Sequence, residues 1–469
     1  MSPDDLQEFV GHARWFGGKG REWRITALRR LGTLPGSTRE LTAVVDLAEI
    51  TYAGGEADHY QLPLSLRPTP ADHLSHALVG VWDEEGLGTV HVYDAVHDRE
   101  AMDLWLRAFD AAATSHHPAA VGGGLAFHRL GGHELDLDVH STLFSGEQSN
   151  SSVAFGEDSL LKMFRRITPG VNPDIAVHDV LTAVGSEHVP ALYGWLDMVD
   201  TASDGTGSTL QLAMLQQFLR TATDGWDLAL ASVRDLLVEA DLHPEEVGGD
   251  FAAESARLGT ALAEVHADLA THFPTETYGP AQVRDLAAAM HTRLDEALQI
   301  VPELAEHEQT LRASFDALGA VARLEVQQVH GDLHLGQTLR TVRGWKIVDF
   351  EGEPAKSLHE RMLPDSRWRD VAGMLRSLDY APRVAALTAH TAASPDEADQ
   401  QSFRCNQWSA RNGQAFLAGY TGRALEAEEA TVLRAYVLDK AVYETVYESR
   451  HRPTWVGIPL DAIGRWDVP

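Results

Sequence analysis

The stretch LEVQQVHGDLHLGQTLRTVRGWKIVDFE, residues 324–351, restricts the fold more than any other part of the chain. Its apolar runs ask for strands, yet His330, Asp332, His334, Gln337 and Asp349 crowd the same segment. Gly331 breaks the first run, so the sequence predicts that Asp332 leaves the strand and points away from the sheet. The second run, WKIVD, brings Asp349 to a strand end. A hairpin of this kind cannot bury itself and needs a larger scaffold around it.

That scaffold must be sizeable, because 469 residues exceed one ordinary core and predict two or three packed units. The excess of 69 acidic over 38 basic residues gives a net charge of −31, which argues against nucleic-acid and anionic-membrane partners. Cys405 is the only cysteine, so an internal disulfide and a multi-cysteine metal site are ruled out. The acidic start MSPDDLQEFV lacks a basic region leading into an apolar core, and no apolar run approaches the ~18 residues of a membrane span. A cytoplasmic location is the expectation.

Three regions are expected, an N-terminal cap at 1–97, a nucleotide-binding sheet at 98–218 and a helical lobe at 219–469. Alternating stretches such as LTAVVDLAEITY and HYQLPLSL predict strands in the first. ARWFGGKGREW has neither the spacing of a phosphate loop nor a Ser or Thr after Lys19, so it reads as a packed turn. DREAMDLWLRAFDAAA puts Met102, Trp105, Leu106 and Phe109 on one helical face, with Asp98 as cap. A loop is expected at 201–208, TASDGTGS, before the apolar run TLQLAMLQQFL. Beyond that, FAAESARLGTALAEVHADLA aligns Leu258, Leu262, Val265 and Leu269 on one side of a helix. A β-rich part followed by a helical part with an embedded hairpin is the pattern of an α+β, bilobal protein-kinase-like fold.

The segment 324–351 suits phosphoryl transfer, which needs a carboxylate to align an acceptor hydroxyl and hard oxygen donors for Mg²⁺. Asp332 fits the first role, Gln337 and Asp349 the second. A zinc site built on His330 and His334 at HxxxH spacing is the alternative, but Gly331 opposes a helix there and the glutamate of HExxH is missing. Upstream, SGEQSNSSVAF offers backbone donors with Ser149, Asn150, Ser151 and Ser152 to cover phosphates, although a plain polar hairpin explains it equally. Lys162 interrupts the apolar strand SLLKMF, where an ammonium needs an anionic partner unless the strand is an exposed edge. Gln216 to Phe218 resemble an adenine-reading hinge, with a core strand as the equal alternative.

GEQSNSSVAF, GVNPDI, VHGDLHLGQTLRT, DFEGEP, RDVAGMLRSLDYA and DKAVYETVYESRHRPTWVGIPL together resemble the bacterial maltokinases. The resemblance runs through most of residues 140–460 and is looser over the first hundred. It implies a kinase-like fold with an N-terminal cap domain, related to aminoglycoside and methylthioribose kinases. It implies ATP and Mg²⁺ as cofactors and maltose as the sugar, converted to maltose 1-phosphate for α-glucan (glycogen) synthesis, with trehalose synthase as an associated enzyme. By the same resemblance Asp332 is the base, Gln337 and Asp349 hold the metal, and Lys162 engages phosphates. Where such kinases commonly read NPDIE this chain has Ala176, so Asp174 and Asp179 are the candidates to replace that carboxylate beside Lys162. Tyr443, Tyr447 and Arg450 share a helical face suited to a sugar, with His330, Glu351 and Glu353 as further polar contacts; a buried tyrosine stripe is the alternative. Trp368 and Asp370 read as supports of the catalytic loop and His266 as a core histidine. The same chemistry on glucosamine, another hexose or an aminoglycoside is the rival, and a catalytically silent nucleotide-binding module is the reading from another class.

Overall fold

A computed structural model describes residues 3–113, 119–121, 124–144, 149–201, 207–238, 243–353, 356–388 and 394–465. The chain divides into two compact units, Met1–Asp179 with Pro190–Arg220, and Val180–Val189 with Thr221–Pro469. None of the described helices is long and apolar enough to cross a membrane.

Unit 1 holds two antiparallel sheets. In the first, Trp23–Thr33, Thr42–Tyr52, Ala57–Arg67, Gly88–Asp94 and Leu78–Glu84 lie side by side in that order, and Arg166–Ile167 adds to Ala57–Arg67. TAVVDLAEITY supplies apolar side chains to both faces: Val44, Ala48 and Ile50 pack with Trp15, Phe16 and Tyr60, whereas Ala43, Val45 and Leu47 face the opposite way. That second face meets the helix Arg99–Ala113, whose Met102, Trp105, Leu106 and Phe109 are fully buried. The helix is covered on its other side by Phe127, Val153, Leu161 and Leu212 of the second sheet. Asp98 caps it as the sequence predicts, accepting from the Glu100 and Ala101 amides, and is held bidentate by Arg67.

The second sheet runs Ala119–Val121, Leu125–Arg129, Leu192–Thr201, Gly207–Gln217, Ser159–Phe164, Asn150–Phe155 and Ser141–Leu143 in spatial order. Lys162 therefore lies on an inner strand, opposite Ser152 on one side and Met214 on the other. The loop expected at 201–208 falls mostly outside the described residues; its flanks close as the pair Thr201 and Gly207.

Unit 2 is mainly helical. Its long helices are Ala252–His272, Pro280–Ile300, Trp368–Thr388, Pro395–Thr421 and Ala427–His451. Leu258, Leu262, Val265 and Leu269 form the buried stripe of the first, as the spacing predicts. The expected hairpin is corrected. LEVQQVH pairs over Leu324–Val326 with Glu276–Tyr278 and makes one further bridge, Gln327 to Asp365, while the hairpin joins Thr338–Thr341 to Gly344–Ile347. The first run leaves the ladder early because a buried carboxylate takes the amides of His330 and Gly331.

Candidate active site

That carboxylate is Asp370, in the first turn of Trp368–Thr388. Its oxygens accept from His330 N at 2.7 Å, Gly331 N at 2.8 Å and His266 Nε2 at 3.0 Å, and His266 Nδ1 meets the Tyr420 hydroxyl at 2.8 Å. The neighbouring Arg369 donates to the Gly331 carbonyl at 3.0 Å, so two consecutive residues grip both polar groups of one peptide residue. Gly331 sits at φ +86°, where a side chain would be strained. Gly373, one turn further along the helix, has no room for a Cβ because the Leu333 carbonyl lies 2.4 Å from where it would be. Burial alone would push the Asp370 carboxyl up, but the bond from His266 and the adjacent donors hold it below the usual carboxylate range.

This clamp presents Asp332. Its Oδ1 lies 3.1 Å from Lys440 Nζ, on Ala427–His451. Burial would raise the Asp332 carboxyl, but Lys440 first, then His334 and His330, overcome that and keep it anionic. His330 closes the loop: its Nε2 meets the Val348 carbonyl at 3.0 Å and its Nδ1 accepts from Asp332 N at 3.4 Å. With both ring nitrogens engaged and the residue 2 % exposed, His330 is removed from the sugar contacts.

Asp349 follows Val348 and is the one non-glycine with positive φ, +68°, among the described residues. Such a conformation is costly outside a site that over-determines it. Gln337 Nε2 donates to Asp349 Oδ2 at 2.9 Å, and carboxylate oxygens of Asp349 and Glu351 lie within 4.8 Å of one another. The structure thus brings Gln337 and Asp349 together and adds Glu351, which the sequence reading gave to the sugar. Two carboxylates and an amide oxygen are a donor set that fits Mg²⁺.

Beside Asp332 is a cavity of about 140 Å³ within unit 2, whose polar lining includes Arg293, Glu353, Arg369, Asp439 and Lys440. Glu353 pairs with Arg369 and Asp439 with Arg293, each at 2.7 Å. Tyr443 lines the cavity and is exposed rather than packed, so the buried-stripe alternative fails. Tyr447 stacks on it at 6.4 Å between centroids, but neither Tyr447 nor the exposed Arg450 is part of the lining. Lys440 was missed at the sequence level. The signal was present, since a lysine four residues after Tyr436 and three before Tyr443 interrupts an aromatic stripe.

In unit 1, Lys162 Nζ donates to Asp174 Oδ2 at 2.8 Å, both side chains being almost fully buried. Asp174 opens the helix Pro173–Ala183, its amide capped by Asn172, and also faces His178 Nδ1 at 3.1 Å. The partner of Lys162 is thus Asp174 rather than Asp179. Burial opposes the Asp174 charge, yet Lys162 and His178 hold its carboxyl far below the usual range. The phosphate hairpin is corrected in part. Residues 145–148 lie outside the description, Ser149 is exposed, and Asn150 already begins a strand. Ser151 and Ser152 are buried ladder residues, and the Ser151 hydroxyl is taken by Arg165 Nε at 2.8 Å, so neither side chain can cover a phosphate. Gln216 is a buried ladder residue opposite Leu160 and Leu192, and the Phe218 amide bonds the Asp158 carbonyl at 3.0 Å.

If Lys162 engages ATP phosphates, as the resemblance to maltokinases implies, Lys162→Met should raise KM for ATP by about 100-fold while leaving KM for a sugar acceptor near the wild-type value, measured by initial rates. The pair also sets a pH dependence. The Asp174 pKa is depressed on folding, so its stabilisation is complete above about pH 4 and is lost as pH falls through the folded value. Asp174→Asn should therefore be less stable than wild type at pH 7, with a gap in melting temperature that narrows in strong acid.

Residues 9–98 match the maltokinase N-terminal cap domain family. A glucosamine kinase of Streptacidiphilus jiangxiensis is 32% identical over 330 residues, covering 67% of this chain and 70% of that protein. A glucosamine kinase of Mycolicibacterium smegmatis (strain ATCC 700084 / mc(2)155) is 28% identical over 331 residues, 68% and 77% of the two chains. The fold is shared with a solved glucosamine kinase in complex with glucosamine, ADP and inorganic phosphate, at a TM-score of 0.65 and 23% identity over 97% of this chain and 98% of that one.

Proposed function

The chain belongs to the sugar-kinase family of these glucosamine kinases and carries a maltokinase-like N-terminal cap, and on that premise we propose that it transfers the γ-phosphoryl group of ATP to a hydroxyl of glucosamine. The observation that carries this reading is the cavity at Asp332. Its carboxylates alternate with Lys and Arg partners, so it offers acceptors and donors side by side, the profile of a polyhydroxylated ring. At about 140 Å³ it is well below the ~300–1,000 Å³ of drug-sized pockets and suits a single pyranose.

Asp332, held anionic by its surroundings, accepts the hydrogen bond of the sugar hydroxyl and takes its proton as the oxygen attacks the γ-phosphorus. Lys162, fixed by Asp174, is the cation that the resemblance to maltokinases assigns to the nucleotide phosphates. Gln337, Asp349 and Glu351 would hold Mg²⁺, which when bound neutralises charge on those phosphates.

A second reading is favoured by the match of residues 9–98 to the maltokinase cap: maltose as acceptor, phosphorylated at its anomeric hydroxyl, with the links to α-glucan synthesis and trehalose synthase that the resemblance implies. ADP release measured with glucosamine, glucose, maltose and an aminoglycoside separates the two. The highest kcat/KM is expected with glucosamine; a higher value with maltose establishes the second reading, and ADP release indifferent to every sugar contradicts both.

A further inference from the structure

Lys440 lies midway along Ala427–His451, on the stripe that carries Tyr436, Tyr443 and Tyr447. Its Nζ is 3.1 Å from Asp332 Oδ1 and 5.0 Å from the Tyr443 ring centre. Two other carboxylates face it, Glu444 and Glu353, but these are tied at 2.7 Å to Arg376 and Arg369. Lys440 and Asp332 are 30% and 26% exposed, and both line the same cavity. A purely structural ion pair has no need to open into a cavity, whereas a group that meets substrate does.

A cation beside a general base weakens that base unless it is repaid as the reaction proceeds. Phosphoryl transfer supplies the return. When the sugar hydroxyl yields its proton to Asp332, the carboxylate that held Lys440 is neutralised. At the same moment negative charge spreads over the equatorial oxygens of the phosphoryl group next to the attacking oxygen. The ammonium can then exchange a partner that has lost its charge for one that has gained it, an interaction stronger in the transition state than in the ground state.

We propose that Lys440 is a second catalytic residue of the acceptor site, a mobile cation that holds Asp332 ionised before reaction and stabilises the transferring phosphoryl group during it. The inference rests on the phosphotransfer reading above. In the step concerned, the sugar oxygen forms its bond to the γ-phosphorus and the bond from that phosphorus to the β–γ bridging oxygen breaks. Its electron pair leaves with ADP, and the hydroxyl proton passes to Asp332 and then to solvent.

The test compares Lys440→Met and Lys440→Arg with wild type, on the sugar that wild type turns over fastest. Lys440→Met should lower kcat by about 100-fold with KM for sugar and ATP within a few fold. It should also move the acid limb of the kcat profile to higher pH, because the cation that most offsets the burial of Asp332 is then gone. Lys440→Arg keeps a cation and should recover at least tenfold of the loss. A kcat for Lys440→Met within threefold of wild type overturns the proposal. So does equal loss in both variants with an unmoved acid limb, the pattern of a structural pair. Should Lys440→Met fail to fold by circular dichroism, Lys440→Gln replaces it with the same expected loss and limb shift, and a kcat within threefold of wild type again overturns the proposal. Failure of wild type to phosphorylate any sugar refutes the phosphotransfer reading itself, whereas an active wild type with an indifferent Lys440→Met refutes only the lysine's role.

Discussion

Asp332→Asn should lower kcat on the accepted sugar by about 10³-fold, with KM for ATP little changed and the melting temperature close to wild type. Asparagine keeps the size of the side chain and can still touch Lys440 and the substrate, but its amide cannot take a proton at neutral pH. The loss therefore isolates proton transfer and alignment. Folded stability should not suffer greatly, because Asp332 is 26% exposed at the cavity and its ion pair is solvated on one side. The wild-type profile carries a matching sign. With the Asp332 pKa below its ordinary value of about 3.9, activity should persist well into mild acid and fail only as that carboxylate protonates. A near-normal kcat in the asparagine variant, measured by coupled ADP release, would remove Asp332 from the chemistry.

The second large effect concerns Asp370, which touches no substrate. Asp370→Ala leaves the His330 and Gly331 amides and His266 Nε2 without their acceptor, each unsatisfied buried donor costing ~1–3 kcal/mol. Unit 2 should lose about 3 kcal/mol or more, read as an earlier denaturant transition, and kcat should fall by at least 100-fold because Asp332 is no longer held in place. Asp370→Asn retains one acceptor but turns an amide NH₂ toward a donor, so it should recover part of the stability and less of the activity. Equal activity in wild type and Asp370→Asn would show that the loop keeps its shape without the clamp.

Much of this arrangement was legible in the sequence, and the parts that were not have physical reasons. Caps and stripes are local, so Asp98 and the face Leu258, Leu262, Val265, Leu269 could be read directly. Lys162 announced its need for a partner because a lone ammonium on an apolar strand is too costly to leave unpaired. Its partner Asp174 was one of two candidates, and the cap by Asn172 fixes the helix start that carries it. Ser151 and Ser152 were misread since polarity was taken for exposure. A buried Arg165, bridging Ser151 to Asp94, supplies the partner that allows a serine inside a sheet. The hairpin was assigned to the wrong strands for a similar reason. The apolar run before His330 reads as ladder, but Asp370, forty positions away from it, takes the amides the ladder would have used. Lys440 lies 108 positions from Asp332, so the break it makes in the tyrosine stripe marks the lysine without saying which carboxylate it meets.

The central claim is that the Asp332 site moves phosphate from ATP to a sugar hydroxyl. Phosphorus-31 NMR of wild type with ATP, Mg²⁺ and glucosamine or maltose tests it most directly. The account predicts that the γ-phosphate signal decays while a sugar phosphoester signal grows in equal amount, and that neither change occurs at a comparable rate with Asp332→Asn. Decay of the γ-phosphate into inorganic phosphate alone, at one rate with or without sugar, would contradict it.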